Sequence, residues 1–221
     1  YNINYNTIPV EGWHTGSIST IVPTAPAPPA VRRRFVEDLN RVPFPEAPIV
    51  PLGRTVHDRL GIEVQRGCTR ACRFCQAGYI YRPERQRDPE QVKELVARSL
   101  QSTGYDEVSL LSLSIGDYGC LDSLLGDLLG PDPRATSNIS VSLPSIRVDT
   151  LQEGIVDKIA SARKTGFTMA PEAGSPRLRD VINKALSEEQ IARAAEMVFQ
   201  RGWSHIKFYY MIGLPTETDD D

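Results

Sequence analysis

From Leu60 onward, short apolar runs alternate with stretches in which apolar residues recur three and four apart. The first pattern marks strands, the second amphipathic helices. Gly61–Arg66 reads as a short strand. Val108–Ile115 reads as a second, mostly apolar one, as expected of a strand covered on both faces. Ile139, Val141 and Leu143 alternate as a third, Gly166–Ala170 is a fourth and Ile206–Ile212 a fifth. Asp88-Pro89-Glu90-Gln91 starts a helix, with Asp as N-cap and Pro as first residue. Val92, Leu95, Val96 and Ser99 follow at helical spacing, and Gly104 ends it. Leu121, Leu124, Leu125, Leu128 and Leu129 line the next helix, and Leu151, Ile155, Val156 and Ile159 another. Ser175-Pro176 starts a further one. Ser187 to Gln190 is a capping box for a helix predicted to turn Ile191, Ala194, Ala195, Val198 and Phe199 inward.

Five strands with helices between them imply right-handed β-α-β crossovers and a parallel α/β sheet. Periodicity leaves open whether the sheet is doubly wound or curled into a barrel. In both, ligands bind beyond the carboxyl ends of the strands. The segments expected there are the cysteine-rich loop, Gly116-Asp117, Ser145–Arg147, Pro171–Ser175 and Gly213–Glu217. Upstream the pattern changes: nine of the 17 prolines lie between Pro9 and Pro51. Residues 1–55 therefore read as a Pro-rich extended arm, with one short helix around Val31–Leu39, and residues 56–221 as the core.

Composition narrows the class. The net charge of −3 argues against a generally basic nucleic-acid binder. No apolar run approaches the roughly 20 residues of a membrane span. The chain opens on Tyr1 rather than Met, so a longer parent protein is expected. Cys68, Cys72 and Cys75 fall within eight residues, a spacing that suits a metal in a reducing compartment such as the cytoplasm. Cys120 stands apart and reads as a small buried residue.

Gly67-Cys68-Thr69-Arg70-Ala71-Cys72-Arg73-Phe74-Cys75 is a C-x3-C-x2-C loop. Three thiolates from one tight loop suit a four-iron cluster with one iron left open. The alternative is zinc, completed by His57 or Cys120, in a nucleic-acid or partner-binding module. Zinc fingers usually bring their ligands as two separated pairs, and no second pair exists here. Arg66, Arg70, Arg73, Arg82, Arg85 and Arg87 surround the loop, a positive collar suited to an acidic electron donor or to a polyanion such as RNA.

The loop, including Phe74 before its last cysteine, resembles the cluster motif of the radical S-adenosylmethionine (SAM) superfamily. That resemblance implies a parallel partial (β/α) barrel, a [4Fe-4S] cluster on Cys68, Cys72 and Cys75, and SAM chelated at the open iron. It implies reductive cleavage of SAM to a 5′-deoxyadenosyl radical, driven by a donor such as flavodoxin or ferredoxin. Ile115-Gly116-Asp117 resembles the segment that meets the SAM amino group, with Asp in place of Glu and one glycine fewer. Ser142, Ser145 and Arg147 lie in or just after the third strand, where Arg147 is a candidate partner for a carboxylate such as that of SAM, the alternative being a surface ion pair. Glu172, in Ala170-Pro171-Glu172-Ala173-Gly174-Ser175, meets the ribose as in the methylthiotransferase-like branch. Met211 and Gly213 pass the adenine. Val56-His57-Asp58-Arg59, Cys75-Gln76-Ala77-Gly78 and Tyr81-Arg82-Pro83 resemble a branch that carries a cobalamin-binding-like domain upstream. The cobalamin-ligating pattern Asp-x-His-x-x-Gly is absent, so any cobalamin would sit on a domain outside this chain. A core of this type is expected to supply a further helix and strand past the fifth, which would leave this one truncated. The substrate is not derivable; methylthiolation or methylation of RNA or protein is the alternative within the class.

Overall fold

A computed structural model describes residues 3–6, 20–23, 33–53, 55–130, 139–162 and 166–221. The chain divides into two compact units, Tyr1–Val36 and Glu37–Asp221. The first contains an antiparallel pair, β1 (Ile3–Asn6) and β2 (Thr20–Pro23), in the register Ile3 to Pro23.

The second unit alternates strands and helices. Its strands are β3 (Leu60–Glu63), β4 (Gln65–Arg66), β5 (Arg85–Gln86), β6 (Glu107–Leu111), β7 (Ser140–Ser142), β8 (Phe167–Glu172) and β9 (Ile206–Tyr210). Its helices are α1 (Gln76–Ile80), α2 (Pro89–Thr103), α3 (Leu121–Leu129), α4 (Glu153–Ser161), α5 (Pro176–Val181) and α6 (Glu188–Gln200). β6 pairs in parallel with β3 and β7, and β8 in parallel with β9. This is the parallel α/β arrangement expected. Among the described residues it forms two ladders, with no pairing between β7 and β8.

Side chains on the two faces differ in kind. Leu60 and Ile62, Val108 and Leu110, Val141, Phe167 and Met169 are buried in the core with α2, α3, α4 and α6. The opposite row is small: Gly61 lies beside Ser109, and Ser109 beside Ser142. Phe167 also meets Trp203 edge-on, centroids 4.9 Å apart. The helix signals act as read. Asp88 Oδ1 accepts from Glu90 N at 2.9 Å, Gly104 closes α2 at φ +74°, and the Ser187–Gln190 box is complete.

Five expectations need correction. Residues 31 and 32 of the predicted Val31–Leu39 helix lie outside the described residues, and 33–38 are not helical. A single 3-10 turn, Leu39–Arg41, stands there, capped by Asp38 and followed by Pro43 and Pro45, which block propagation. The first strand is two: Val64 separates β3 from β4, which leaves the sheet to pair antiparallel with β5. The second and fifth strands end earlier than predicted, at Leu111 and Tyr210. On α6, Phe199 is 47% exposed and Met197 is buried instead, because Phe199 lies about 100° round the helix from Val198.

Residues after Glu37 pack on α2. Leu39 is fully buried, Asn40 Oδ1 accepts from Asp88 N at 2.8 Å, and Gln91 Nε2 donates to Asn40 O at 2.9 Å.

Candidate active site

The cysteine loop leaves β4 through Gly67. Its φ is +91°, and a Cβ there would lie 2.6 Å from the carbonyl oxygens of Tyr81 and Pro83. No other residue fits that turn without displacing backbone. Cys75 is the N-cap of α1, and its Sγ accepts from Gly78 N at 3.4 Å. Cys68 Sγ accepts from Arg70 N at 3.4 Å, and Arg147 Nη1 meets Cys72 Sγ at 3.7 Å. Each sulfur thus faces a hydrogen-bond donor. Burial pushes the Cys68 thiol up, against the Arg70 N–H that lowers it.

All three cysteines are free and line one cavity of about 300 Å³. Phe74, Arg147 and Glu172 line it too, as do Thr168 and Tyr209 from the inward rows of β8 and β9. Six of the residues singled out from sequence therefore meet at the carboxyl ends of the strands. The other five lie outside the cavity lining. Gly116 sits against Thr150, whose Cβ a methyl at Gly116 would approach to 2.4 Å. Asp117 is held by Arg70, with Nε to Oδ2 at 2.8 Å. Ser142 has a buried hydroxyl without a partner among the described residues. Met211 packs against the small cluster of Ala173, Leu178 and Ile182. Gly213 N donates to Glu217 Oε2 at 2.6 Å in a turn at φ +86°.

Two parts of the site escaped sequence reasoning. One is Lys184, buried on the cavity wall, with Nζ 3.1 Å from Glu172 Oε1. Glu172 reaches this position at φ +74°, at a register shift in the β8–β9 ladder that re-aims its side chain. The other is the Ile182–Lys184 turn, which seats the cysteine loop. Arg73 N donates to Ile182 O at 2.9 Å, and Asn183 Nδ2 to Ala71 O at 2.9 Å. Asn183 itself has φ +56°, a conformation Asn tolerates well; that residue type after a helix was the available signal.

The arginine collar is mostly bracing. Arg82 and Arg85 donate to loop carbonyls of Cys68, Pro83 and Tyr81, Arg73 to Val181 O, and Arg87 to Glu63 O. Arg66 pairs with Glu63. Arg70 bridges Asp117 and Asp149, and Asp149 also holds Arg147, with Nε to Oδ1 at 2.9 Å. Burial works to raise the Asp117 carboxyl, and Arg70, Ser114 and Arg147 together outweigh it and hold the group below the usual range.

The donor set fits an iron–sulfur cluster. Among the described residues no group of three or more His, Cys, Asp or Glu is arranged for a single metal ion. Three thiols spread along a cavity wall suit a multi-atom cluster better than one zinc.

A parallel α/β core with a three-thiol cavity at its strand ends is the architecture of an enzyme that works through a bound iron–sulfur cluster. Residues 62–221 match the Radical SAM superfamily model, and the chain belongs to that superfamily, whose cofactors are a [4Fe-4S] cluster and SAM. An uncharacterised protein of Methanocaldococcus jannaschii is 36% identical over 160 residues, 72% of this chain and 34% of that protein. A tRNA-2-methylthio-N(6)-dimethylallyladenosine synthase of Pelotomaculum thermopropionicum is 29% identical over 184 residues, 78% of this chain and 40% of the synthase. The radical SAM methyltransferase TsrM of Kitasatospora setae, solved with cobalamin and a [4Fe-4S] cluster, shares the fold. Its TM-score is 0.62 at 16% identity, over 72% of this chain and 32% of that one. The chain spans well under half the length of these proteins. Among the described residues no helix is long and apolar enough to cross a membrane.

Proposed function

We propose that residues 56–221 form the core of an enzyme that cleaves SAM reductively. The observation that carries this reading is the shared cavity, where Cys68, Cys72 and Cys75 meet Phe74, Arg147 and Glu172. When bound, the cluster supplies one electron that splits SAM into methionine and a 5′-deoxyadenosyl radical, which takes hydrogen from a substrate. The chain's own residues hold and shape. Cys68, Cys72 and Cys75 would hold the cluster as thiolates, and no fourth cysteine among the described residues lines the cavity. Glu172 accepts from ribose hydroxyls. Lys184 uses one of its three N–H donors on Glu172 and offers its charge to the cofactor carboxylate. Gly116, Asp117, Ser142, Met211 and Gly213 border the same strand ends and extend the SAM site beyond the cavity. An external one-electron donor such as flavodoxin or ferredoxin is required.

Anaerobically reconstituted protein should carry about four irons and four sulfides. Replacing any of Cys68, Cys72 or Cys75 by Ala should abolish stable cluster binding, while Cys120→Ala should not. Stoichiometric zinc without sulfide overturns the reading. Similarity to the tRNA synthase over 184 residues favours methylthio transfer to RNA as the specific reaction. Nucleoside analysis of tRNA from a strain lacking the gene decides it: loss of a methylthio nucleoside supports it, and an unchanged profile removes it.

A further inference from the structure

A second cavity, of about 350 Å³, adjoins the first and shares Leu113 with it, but none of the cysteines lines it. Glu63, Gln65 and Arg66 form one part of its wall, Leu111 and Leu113 another, and Tyr81 a third. Gln65 is the residue without an explanation. Side chains alternate along an extended chain. Val64 is fully buried in the helix-side core, so Gln65 points the other way, toward the cavity it lines. Gln65 is only 1% exposed, and neither its Oε1 nor its Nε2 has a partner among the described residues. A buried group left unpaired is destabilising, and native structures seldom keep one without a use.

The surroundings define what would pair with it. Glu63 and Arg66 satisfy each other with two bonds, of 2.7 and 2.6 Å, so the cavity presents no unbalanced charge. Leu111, Leu113 and Tyr81 are each partly exposed and supply apolar surface. We propose that this cavity is a recognition pocket for a neutral, planar group whose edge sets a hydrogen-bond donor beside an acceptor: a carboxamide, a lactam or a nucleobase. The Gln65 amide answers such an edge with two parallel hydrogen bonds, and the apolar walls cover the faces of the group. That the ligand is the enzyme's substrate rests on the SAM-cleavage reading above; the binding does not.

The test uses the full chain, without a cluster. Gln65→Met exchanges the amide for an apolar group of similar length. An amide held unpaired for a ligand predicts that this variant unfolds at a higher temperature than the parent. An amide that is structural, bridged by ordered water for example, predicts a fall, and a fall or no change overturns the proposal. Uracil and nicotinamide are the binding probes, followed by saturation-transfer NMR, with methyl benzoate as a control that lacks a donor. Binding of either probe should weaken roughly tenfold in Gln65→Met, the effect of losing about 1.4 kcal/mol of hydrogen bonding, while the control is unaffected. Preference for uracil assigns the pocket to a lactam or nucleobase edge, and preference for nicotinamide to a carboxamide. Absence of binding by both, or binding that Gln65→Met leaves unchanged, overturns it. Gln65→Glu, which removes the donor and keeps the acceptor, should also weaken binding of both probes at neutral pH, and unchanged binding in it overturns the proposal. None of these readouts needs iron, so failure here is distinct from failure of the cluster reading, which iron and sulfide content decides.

Discussion

Arg147 Nη1 lies 3.7 Å from the Cys72 sulfur, while Nε and Nη2 of the same guanidinium are held by Asp149 at 2.9 and 3.3 Å. Its side chain is 10% exposed, so solvent screens its charge weakly. A cation at that distance from a ligating thiolate stabilises the more negative, reduced state of a cluster, and hydrogen bonds to the sulfurs act in the same sense. Arg147→Gln should therefore lower the cluster's reduction potential without loss of iron. A tenfold shift of the one-electron equilibrium, about 59 mV, is the expected scale, read by an EPR-monitored redox titration. An unchanged potential would show that the guanidinium is too far from the cluster to matter. Arg70 also lines this cavity, paired with Asp117 and Asp149, and so do Glu172 and Lys184, which pair with each other. Nothing in the local sequence pairs them, because the contact depends on the positive φ of Glu172 and on a turn 12 residues later.

At the scale of elements, the cysteine loop is held from both ends. Gly67 admits it under the Tyr81–Pro83 turn, and the Ile182–Lys184 turn receives it across the cavity. Gly67→Ala places a methyl 2.6 Å from two carbonyl oxygens at a left-handed φ. It should destabilise the cluster-free protein by about 3 kcal/mol, combining backbone strain and overpacking. Urea denaturation measures this, and a change below 1 kcal/mol would mean the turn relaxes freely. The core strands and helices were legible because their signals are local: alternation at Ile139 and Val141, the Asp88-Pro89 start, the Ser187–Gln190 box. The strand-end placement of the cysteines, Arg147 and Glu172 followed from the parallel order alone. What the sequence did not disclose were relations between distant segments, such as the departure of β4 toward β5 and the packing of Gly116 on Thr150. The arginines near the cysteines were read as a charged rim because composition gives their number and not their partners. Arg87 is 2% exposed and binds the Glu63 carbonyl.

Across the whole core, one charge network joins three of the loops that follow strands. Arg70 belongs to the cysteine loop, Asp117 follows β6, and Asp149 and Arg147 follow β7. The β3–β6–β7 ladder already joins these units along the sheet, and this network ties them again at the end where the cavity lies. It also sets a pH dependence. Asp117 is held below the ordinary carboxylate range in the folded chain. A carboxylate depressed on folding contributes stability that is complete above its unfolded value, about 3.9, and is lost as pH falls through the lower folded value. Asp117→Asn keeps the size of the side chain and removes its charge. It should cost about 1–3 kcal/mol at pH 7, the range for a charge-assisted hydrogen bond in a partly buried site. The gap between variant and parent should then shrink steadily as pH falls from 5 toward 2, because the parent loses by protonation what the variant never had. Urea midpoints across that interval test the idea. If the two stability curves stay parallel to the acid end, the Arg70–Asp117 pair contributes nothing that protonation can remove, and the three loops are held by their other contacts, Arg70–Asp149 among them.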